Sequence, residues 1–439
     1  MSTQHVHQPL SQSAHNQHAS NVSRIAVVGL GYIGLPTSVV LAQAGFQVIG
    51  VDISEASVTT INAAELPFHE PLLKGALQEV VSSGRLQATT VMPEADAFII
   101  AVPTPHTAAH EPDLSAVLAA TRAIAPKLHP GNIVNVESTI PPGATNVVAE
   151  TLLQLRPDLS LDTTSERGIY VTHVPERVLP GKIMTELRTN HRIIGGLNHG
   201  AAEKAKEIYA RFVLGDIHLT DAATAEMTKL AENSFRDVNI AFANELSLIA
   251  HSHGVNVWEL ITLANHHPRV NILTPGAGVG GHCIAVDPWF LVHSDPEHSP
   301  LIRTARTVND AKPLWVVDQA LALAAAHGAY GSVAVLGMTF KPDVDDIREA
   351  PALTIIDELL GSEAFEEILV VDPHVRELPA HLAASGKVRL TQVEGIDPST
   401  TIMIAAVGHS AFLSLPKEFY ASPLLVDACG LRFQHDARR

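Results

Sequence analysis

One cysteine of this 439-residue chain lies in a glycine-rich segment, where the backbone can approach a ligand closely. The segment, residues 278–287, reads GVGGHCIAVD and places the Cys283 thiol near the polar side chains of His282 and Asp287. A thiolate in such a loop can add to a carbonyl carbon and form a covalent intermediate. A free cysteine is also often a small buried packing residue. The loop by itself leaves both interpretations open.

A lysine and an asparagine on a long predicted helix are a second candidate for chemistry. Apolar residues recur at three- and four-residue spacing over residues 221–253, which is typical of an amphipathic helix. Lys229 and Asn233 are four residues apart and therefore share one face of this helix. An ammonium and an amide directed at one oxygen would stabilise an oxyanion. The plainer alternative is a solvated pair on the helix surface.

A glycine-rich turn near the start of the chain has the spacing of a dinucleotide-binding loop. Gly29, Gly31 and Gly34 form a G-x-G-x-x-G pattern, with Tyr32 and Ile33 between the last two glycines. In such loops the first glycine makes the tight turn and the second lets the backbone approach a pyrophosphate. The third allows the helix to pack closely on the strand. The same glycines would also suit a strand–turn–helix connection that binds no ligand.

The elements around this turn favour a ligand. Residues 25–28 form a short apolar, β-branched run, as a buried parallel strand should, and residues 35–44 have helical character. A second predicted strand, residues 47–51, ends at Asp52, which follows Gly34 by 18 residues. A carboxylate there accepts hydrogen bonds from both ribose hydroxyls and repels a 2′-phosphate. The sequence therefore favours NAD over NADP.

Two sets of predicted strands indicate an α/β fold with two Rossmann-like, doubly wound lobes joined by a long central helix and a helical middle domain. The first set continues at residues 97–102, 132–137 and 170–173. The second set comprises residues 332–336, 368–371, 401–407 and 424–426. We therefore expect a disordered tail over 1–23, an NAD-binding domain over 24–215, a helical domain carrying the Cys283 loop over 216–312 and a second Rossmann-like domain over 313–439.

The composition excludes several classes of protein. A net charge of −17 without a run of lysines and arginines argues against a nucleic-acid partner. No apolar stretch of membrane-spanning length stands clear of charges, glycine and proline, so we expect no membrane segment. Two cysteines are too few for a disulfide scaffold and favour a reducing, cytoplasmic location. The second, Cys429, follows a predicted strand and is expected to be a packing residue.

Histidines give no indication of a metal site. Four of them lie in the first 21 residues, which are rich in Gln, His, Ser and Asn and lack the apolar run of a signal peptide. His266 and His267 are adjacent and would point apart on a helix. We therefore expect no functional metal.

Six segments that follow one another along the chain are more specific than any single pattern. They are VPTP at 102–105, ESTIPPG at 137–143, VPER at 174–177, KLAEN at 229–233, GVGGHCIAVD at 278–287 and FKPDVDDIR at 340–348. Together they resemble the UDP-glucose/GDP-mannose dehydrogenase family over essentially everything after the tail. The resemblance implies an NAD-dependent enzyme that removes two hydrides and converts a primary alcohol of a nucleotide sugar into a carboxylate.

The resemblance also implies roles for the candidate catalytic residues. Cys283 would trap the intermediate aldehyde as a thiohemiacetal, which becomes a thioester and is cleaved by water. Lys229 and Asn233 would stabilise the oxyanion, and Asp287 would position a water or accept a proton. Glu176 would be a base for thioester hydrolysis, the structural alternative being a cap or a salt-bridge partner.

Further residues match the family's binding positions. Thr104, Thr139 and Arg348 resemble cofactor contacts. The implied substrate contacts are Arg177, Arg269, Gly280, His282, Phe340 and Lys341, with Arg269 reaching a neighbouring subunit. For the loop that carries Phe340 and Lys341, a solvated charge cluster is the alternative. The resemblance further implies a homodimer or higher oligomer built on the middle domain, and binding of the UDP half by residues 313–439.

The sugar is indicated by a narrower resemblance. ANHHPRVNIL at 264–273 and GGHCIAVDPWF at 280–290 are most similar to the branch that oxidises UDP-N-acetyl-D-mannosamine to UDP-N-acetyl-D-mannosaminuronate at C6. Val286 stands where UDP-glucose dehydrogenases commonly have a lysine. Alternatives are the same chemistry on UDP-N-acetylglucosamine, UDP-glucose or GDP-mannose. A two-electron hydroxyacid or alcohol dehydrogenase and a non-catalytic NAD-binding protein are the more distant ones.

Overall fold

The structure of the chain is a computed structural model, and it describes residues 22–68, 70–107, 109–281 and 283–437. These residues divide into two compact units. The first runs to Val102 and also includes Ala119–Glu137 and Val148–Ala222. The second comprises Pro103–Leu118, Ser138–Val147 and the chain from Ala223 onward. The three domains expected from the sequence, over 24–215, 216–312 and 313–439, stay a prediction.

The start of the described chain is packed against the first unit. Val22 is buried, and the amide of Ser23 donates a 2.8 Å hydrogen bond to the carboxylate of Asp96. Residues 1–21 of the tail expected over 1–23 lie outside the described residues. The last two residues of that range, Val22 and Ser23, are ordered and lead directly into the first strand.

Eight strands form the sheet of the first unit: β1 (Arg24–Val28), β2 (Gln47–Val51), β3 (Leu86–Thr89), β4 (Ala97–Ile100), β5 (Ile133–Val136), β6 (Tyr170–His173), β7 (Arg192–Gly196) and β8 (Ile217–Asp221). Their spatial order is β3-β2-β1-β4-β5-β6-β7-β8. The first six follow the 3-2-1-4-5-6 order of dinucleotide-binding folds and are parallel. At the other edge of the sheet β7 is antiparallel to β6, and β8 is parallel to β7.

Helices connect these strands: α1 (Gly34–Gln43), α2 (Glu55–Asn62), α3 (Leu73–Ser82), α4 (Ser115–Ile124), α5 (Ala144–Leu155), α6 (Ile183–Thr189) and α7 (His199–Tyr209). Nearly every residue of α1 is buried, which explains its apolar sequence. The boundary between the two units falls within α4 and α5.

The second unit begins with a helical stretch and continues into a five-stranded sheet. Its helices are α8 (Ala222–Ser252), α9 (Val257–Ala264), α10 (Asp287–Ser294), α11 (Pro300–His327), α12 (Pro351–Ser362), α13 (Ala380–Ala384), α14 (Lys417–Ala421) and α15 (Leu431–Asp436). Its strands are β9 (Ser332–Leu336), β10 (Glu367–Val371), β11 (Val388–Leu390), β12 (Ile402–Ala405) and β13 (Leu425–Asp427). All neighbours in the order β11-β10-β9-β12-β13 are parallel.

The predicted fold class is confirmed. Two α/β sheets of doubly wound order occur, and the long predicted helix is α8. Among the described residues, no helix has both the length and the apolar character that a membrane crossing requires.

Buried polar contacts join α8 to α11. The guanidinium of Arg306 donates to the carboxylate of Asp237 at 2.6 Å, and both side chains are almost fully buried. Asn309 donates to the same carboxylate at 2.8 Å and accepts a 2.9 Å hydrogen bond from Asn244. The amide of Gly276 donates to Asn244 at 2.8 Å. We call these contacts the Asp237–Arg306 network; it ties both helices to the start of the cysteine loop.

A row of buried polar side chains crosses the core of the first unit. Thr172 donates to Asn135 at 3.1 Å, Asn135 donates to the hydroxyl of Tyr209, and that hydroxyl donates to Glu137 Oε1 at 2.5 Å. Thr37 donates to the other carboxylate oxygen of Glu137 at 3.3 Å. Burial raises the pKa of Glu137 to about 7. The folded chain therefore retains this proton at pH values where an unfolded glutamate has lost it.

This retained proton makes a prediction about stability. A carboxyl whose pKa is raised by folding contributes stability that is fully present at low pH and is lost as the pH rises through the folded pKa. We expect the free energy of unfolding of Glu137→Gln, relative to the wild type, to rise by roughly 3 kcal/mol from pH 4.5 to pH 8. Urea titrations at several pH values measure this difference. Glu150→Gln, at an exposed position of the same unit, is the control, and an equally flat difference for both variants would refute the assignment.

Candidate active site

The glycine-rich loop of the first unit makes the close approaches that its sequence predicts. Gly29 has a φ of +93°, and a Cβ there would lie 2.5 Å from the carbonyl oxygen of Ala101. A Cβ at Gly34 would lie 1.8 Å from the carbonyl oxygen of Gly29. Gly31 is exposed, and nothing lies within 4 Å of its Cβ position. The loop is therefore closely packed at two glycines and open at Gly31, where a ligand has room.

The groups next to this loop suit a dinucleotide. Ile33 is the residue that precedes α1, and its apolar side chain makes no capping hydrogen bond to the first amides of the helix. Asp52 follows β2 and accepts 2.9 Å hydrogen bonds from the amides of Leu30 and Ser54, which fix its carboxylate beside the loop. An uncapped helix N-terminus favours a pyrophosphate, and a fixed carboxylate favours ribose hydroxyls. The residues present therefore fit NAD.

The cysteine loop of the second unit is packed against the segment 340–351. Gly281 has a φ of +83°, and a Cβ there would lie 2.9 Å from the ring of Phe340. A Cβ at Gly280 would lie 2.3 Å from a backbone oxygen of that segment. The amide of Gly281 donates to the carbonyl of Arg348 at 3.2 Å. Only glycines allow this approach, which brings Cys283 next to the segment that carries Phe340 and Arg348.

Four of the predicted catalytic residues come together in the second unit. Asp287 is buried at the start of α10, and its amide donates a 2.8 Å hydrogen bond to the carbonyl of Cys283. Asn233 donates to the carboxylate of Asp287 at 2.5 Å. Lys229, one helical turn before Asn233 on α8, is buried and acts electrostatically on both Asp287 and the Cys283 thiol. When the sulfur adds to a carbonyl carbon, the oxyanion that results would lie near the ammonium of Lys229 and the side-chain amide of Asn233.

The protonation states of this cluster follow from burial and charge. Burial, and to a smaller extent the charge of Asp287, raise the pKa of the Cys283 thiol to about 11, against the lowering influence of Lys229 and Arg348. Burial raises the pKa of Asp287 to about 6, against the lowering influence of Lys229 and Asn233. At neutral pH the carboxylate is therefore mostly ionised and the thiol protonated. The thiol needs a proton acceptor before it can attack, and Asp287 is an ionised carboxylate close to it.

The remaining predicted residues of the second unit are placed as follows. Thr104 donates to the carbonyl of Thr139 at 2.6 Å. The guanidinium of Arg348 donates to the carboxylate of Asp346, from Nε at 3.0 Å and from Nη2 at 2.6 Å. The ammonium of Lys341 lies 5.5 Å from the centre of the Phe340 ring. Their assignment to cofactor or substrate stays a prediction.

Some predicted site residues have other surroundings. Glu176 is buried in the first unit, where one carboxylate oxygen pairs with Arg192 at 2.6 Å and the other accepts from the amide of Arg177 at 2.7 Å. These are the contacts of the salt-bridge alternative. Arg269 is exposed, and its amide donates to the ring of the neighbouring His267. His282 lies outside the described residues.

Two buried acids that shape these loops escape sequence analysis. Glu70 accepts 2.9 Å hydrogen bonds from the amides of Gly181 and Ile183 and a 3.2 Å bond from the hydroxyl of Tyr32, a predicted cofactor residue. The two amides are more than a hundred residues away from Glu70 in the chain, so no local pattern identifies this contact.

The second acid is Glu226, which holds the segment that carries Thr139. Its carboxylate accepts from the amide of Gly143 at 2.6 Å and from the amide of Thr145 at 2.8 Å. Glu226 lies three residues before Lys229 on α8, and both side chains are buried. The signal that could have identified Glu226 is its helical spacing from Lys229, which places the two on one face.

Models of three domains of one family match the chain in order. The NAD binding domain of the UDP-glucose/GDP-mannose dehydrogenase family matches residues 23–213, its central domain matches residues 223–311 and its UDP binding domain matches residues 334–432.

Individual relatives match over nearly the whole chain. UDP-N-acetyl-D-mannosamine dehydrogenase of Escherichia coli K12 is 47% identical over 416 residues, 93% of this chain and 98% of the relative. NDP-N-acetyl-D-galactosaminuronic acid dehydrogenase of Ralstonia nicotianae is 50% identical over 409 residues, 93% of this chain and 96% of the relative. Among solved structures, UDP-D-ManNAc dehydrogenase from Pyrococcus horikoshii superimposes with a TM-score of 0.83 at 39% identity, covering 93% of this chain and 96% of that one.

The charges around Cys283 predict how its reactivity responds to substitution. Asp287→Asn removes a negative charge that disfavours the thiolate, so it should lower the pKa of Cys283. Below the pKa the thiolate fraction rises tenfold per unit of pKa decrease, so we expect alkylation by iodoacetamide at about pH 8.5 to become about threefold to tenfold faster. Mass spectrometry of the Cys283 peptide measures the rate. Lys229→Met removes the opposing cation and should slow the reaction; equal rates for both variants would contradict the electrostatic cluster.

Proposed function

The chain belongs to the UDP-glucose/GDP-mannose dehydrogenase family, as its six segments predict, and we propose that it oxidises the C6 alcohol of UDP-N-acetyl-D-mannosamine to the carboxylate with NAD. The observation that carries the proposal is the cluster of Cys283, Lys229, Asn233 and Asp287 in one buried site. A two-electron dehydrogenase has no use for a cysteine there. A binding protein without activity has no use for the lysine and asparagine beside it.

The cluster accounts for both oxidations. Bound NAD supplies a hydride acceptor for each of them. Lys229 and Asn233 stabilise negative charge on the C6 oxygen, first in the alcohol and later in the thiohemiacetal. The sulfur of Cys283 adds to the aldehyde carbon, and the new C–S bond turns a poor hydride donor into a good one. Water then breaks the C–S bond of the thioester, which releases the carboxylate and returns the thiol.

Asp287 is the proton acceptor in this scheme. Its carboxylate is mostly ionised at neutral pH and lies in the same cluster as the thiol, so it can take the proton that Cys283 loses. Glu176 is predicted from the sequence as the base for thioester hydrolysis. Both of its carboxylate oxygens are engaged, one by Arg192 and the other by the amide of Arg177, so we assign proton transfer to Asp287 first and give Glu176 a positioning role.

Binding roles follow the family positions. We assign Gly29, Gly31, Gly34 and Asp52, with Tyr32 and Ile33 beside them, to NAD, and the fixed carboxylate of Asp52 supports NAD over NADP. We assign Thr104, Thr139 and Arg348 to the cofactor as well. The substrate residues are Arg177, Gly280, His282, Phe340 and Lys341, with Arg269 serving the site of a neighbouring subunit. Residues 24–215, 216–312 and 313–439 are the corresponding NAD-binding, central and UDP-binding domains.

A second candidate substrate has specific support. The Ralstonia nicotianae relative, named for an N-acetyl-D-galactosaminuronic acid, is 50% identical to this chain, against 47% for the Escherichia coli relative named for the mannosamine sugar. Both names specify an N-acetylhexosamine, in agreement with Val286 in the cysteine loop. We therefore propose UDP-N-acetyl-D-mannosamine first and UDP-N-acetyl-D-galactosamine second.

We also propose a homodimer built on α8. Phe235, Phe242 and Ile249 recur every seven residues and are 69%, 55% and 49% exposed, and Met227 extends the row at 50%. Large apolar side chains at this spacing form one continuous stripe along a helix, which favours contact with a second helix.

Both cysteines are free, which agrees with a reducing, cytoplasmic location.

The amount of NADH formed per mole of limiting sugar tests the function. We expect the wild type to form two equivalents of NADH with UDP-N-acetyl-D-mannosamine. The Cys283→Ser variant should form no carboxylate product. Asn233→Ala should lower kcat by about a hundredfold because an oxyanion donor is lost. UDP-N-acetylgalactosamine, UDP-N-acetylglucosamine, UDP-glucose and GDP-mannose are run in parallel. Two equivalents of NADH from another sugar would replace the proposed substrate and support the same mechanism. One equivalent would rule out the thioester route. No NADH from any of these sugars would rule out the proposed enzymatic activity.

The stripe on α8 predicts the oligomeric state. Phe242→Glu places a charge in its middle and should convert the dimer into a monomer at micromolar concentration, because an ionised carboxylate cannot be buried there without a partner. Sedimentation velocity measures this change. Val91→Glu replaces a 70% exposed valine elsewhere and should leave the dimer intact. A wild-type chain that sediments as a monomer would disprove the proposal.

A further inference from the structure

A cavity lies in the second unit, away from the cluster of Cys283, Lys229, Asn233 and Asp287. It has a volume of about 470 Å³ and is bordered by the end of α8, by α9 and α11, and by the chain from β13 into α15. It shares no lining residue with the cysteine cluster. Ser247, which lines it, follows Asn233 by 14 residues on α8, a separation of roughly 20 Å along the helix. The cavity is within the size range of small-molecule sites.

A buried lysine on α11 is the central feature of this cavity. The Lys312 side chain is 3% exposed, and its ammonium donates a 2.6 Å hydrogen bond to the hydroxyl of Ser247. The ammonium also lies 4.0 Å from the centre of the Trp315 ring. In the described part of the chain, no carboxylate lies within 4.0 Å of this ammonium. One hydroxyl uses only one of its three donors, so a buried cation is left without a counter-ion.

The other charged groups that line the cavity do not supply that counter-ion. Asp427 is the one carboxylate among the described residues of the lining, and it accepts hydrogen bonds from the amides of Leu431 and Arg432 at 2.8 and 2.9 Å. Arg432 and His251 add positive or titratable groups. A cationic cavity is unusual in a chain of net charge −17 and indicates attraction for an anion.

Aromatic side chains provide the remaining walls. Trp258 and Trp315 both line the cavity, and they are two of the three tryptophans of the chain. Trp258 is held by a close approach of Gly430, where a Cβ would lie 2.8 Å from its ring and where φ is +76°. The indole rings have fixed positions beside an ammonium that lacks a counter-ion. This arrangement suits a flat ring that carries a negative charge.

We propose that this cavity binds a small organic anion with a flat aromatic body. Its acidic group pairs with Lys312, and its ring packs against Trp258 and Trp315. Neither the family's dehydrogenase chemistry nor the predicted site residues involve this cavity, so the proposal stands independently of the proposed function.

The probe for the test is 1-anilinonaphthalene-8-sulfonate, an aromatic sulfonate that accepts energy from tryptophan. A Trp289→Phe background leaves Trp258 and Trp315 as the only tryptophans, so energy transfer reports the cavity. The uncharged analogue N-phenyl-1-naphthylamine measures the apolar contribution alone. Lys312→Met removes the cation at nearly constant volume, and Gln319→Glu adds a negative charge to the lining without touching the lysine. Lys417→Met, at an exposed position, is the matched control.

We expect saturable transfer from the sulfonate, weakened about tenfold or more by Lys312→Met and by Gln319→Glu and unchanged by Lys417→Met. The uncharged analogue should bind all variants alike, and UDP or NAD should not displace the sulfonate. Equal affinity of Lys312→Met and wild type, displacement by either nucleotide, or absence of saturable transfer would overturn the proposal. If Lys312→Met does not fold, as judged by circular dichroism, Gln319→Glu decides the outcome.

Discussion

The buried ion pair between Asp237 and Arg306 is the constraint on which the second unit's candidate site depends. Two charges with almost no exposure attract each other strongly in the interior, and loss of Arg306 would leave the buried charge of Asp237 uncompensated. Asn309 supplies a further hydrogen bond to Asp237 and passes the connection to Asn244 and Gly276. The network therefore fixes α8, which carries Lys229 and Asn233, relative to the loop that leads to Cys283.

Within that frame, burial sets the reactivity of the two acidic groups differently. Both pKa values are raised by desolvation, but Asp287 has an amide donor and a nearby cation, so it is mostly ionised at neutral pH. The thiol of Cys283 is neighbour to the same cation and also to the charge of Asp287, and it keeps its proton. Since only a thiolate is a strong nucleophile, the resting cysteine is unreactive until its proton is removed.

Features fixed by neighbours in the sequence were predictable, and features fixed by distant partners were not. The tight approach of Gly34 to the carbonyl of Gly29 and the turn from Cys283 to Asp287 each join residues only a few positions apart, so the sequence pattern indicates them. The ion pair of Glu176 with Arg192 needs the unexpected antiparallel strand β7, whose five residues include two glycines and show no strand periodicity. Helical periodicity identified α8 but could not separate its buried face from its exposed stripe, because both are apolar.

Two buried cations on α11 show how the same burial can lead to different outcomes. Arg306 cannot lose its proton in a protein, so it is stable in the interior only with a carboxylate beside it, and Asp237 is that partner. Lys312, six residues further on, has a hydroxyl and an indole ring instead, and burial lowers its pKa to about 8. A lysine can occupy this position because it can release its proton when burial makes the charged form unfavourable. A bound anion would stabilise the charged form and remove that cost in free energy. A packing role alone would be met by methionine, which is nearly as long as lysine and carries no charge. The retained ammonium is therefore the reason to assign a ligand to the cavity at Lys312 rather than to regard it as a packing defect.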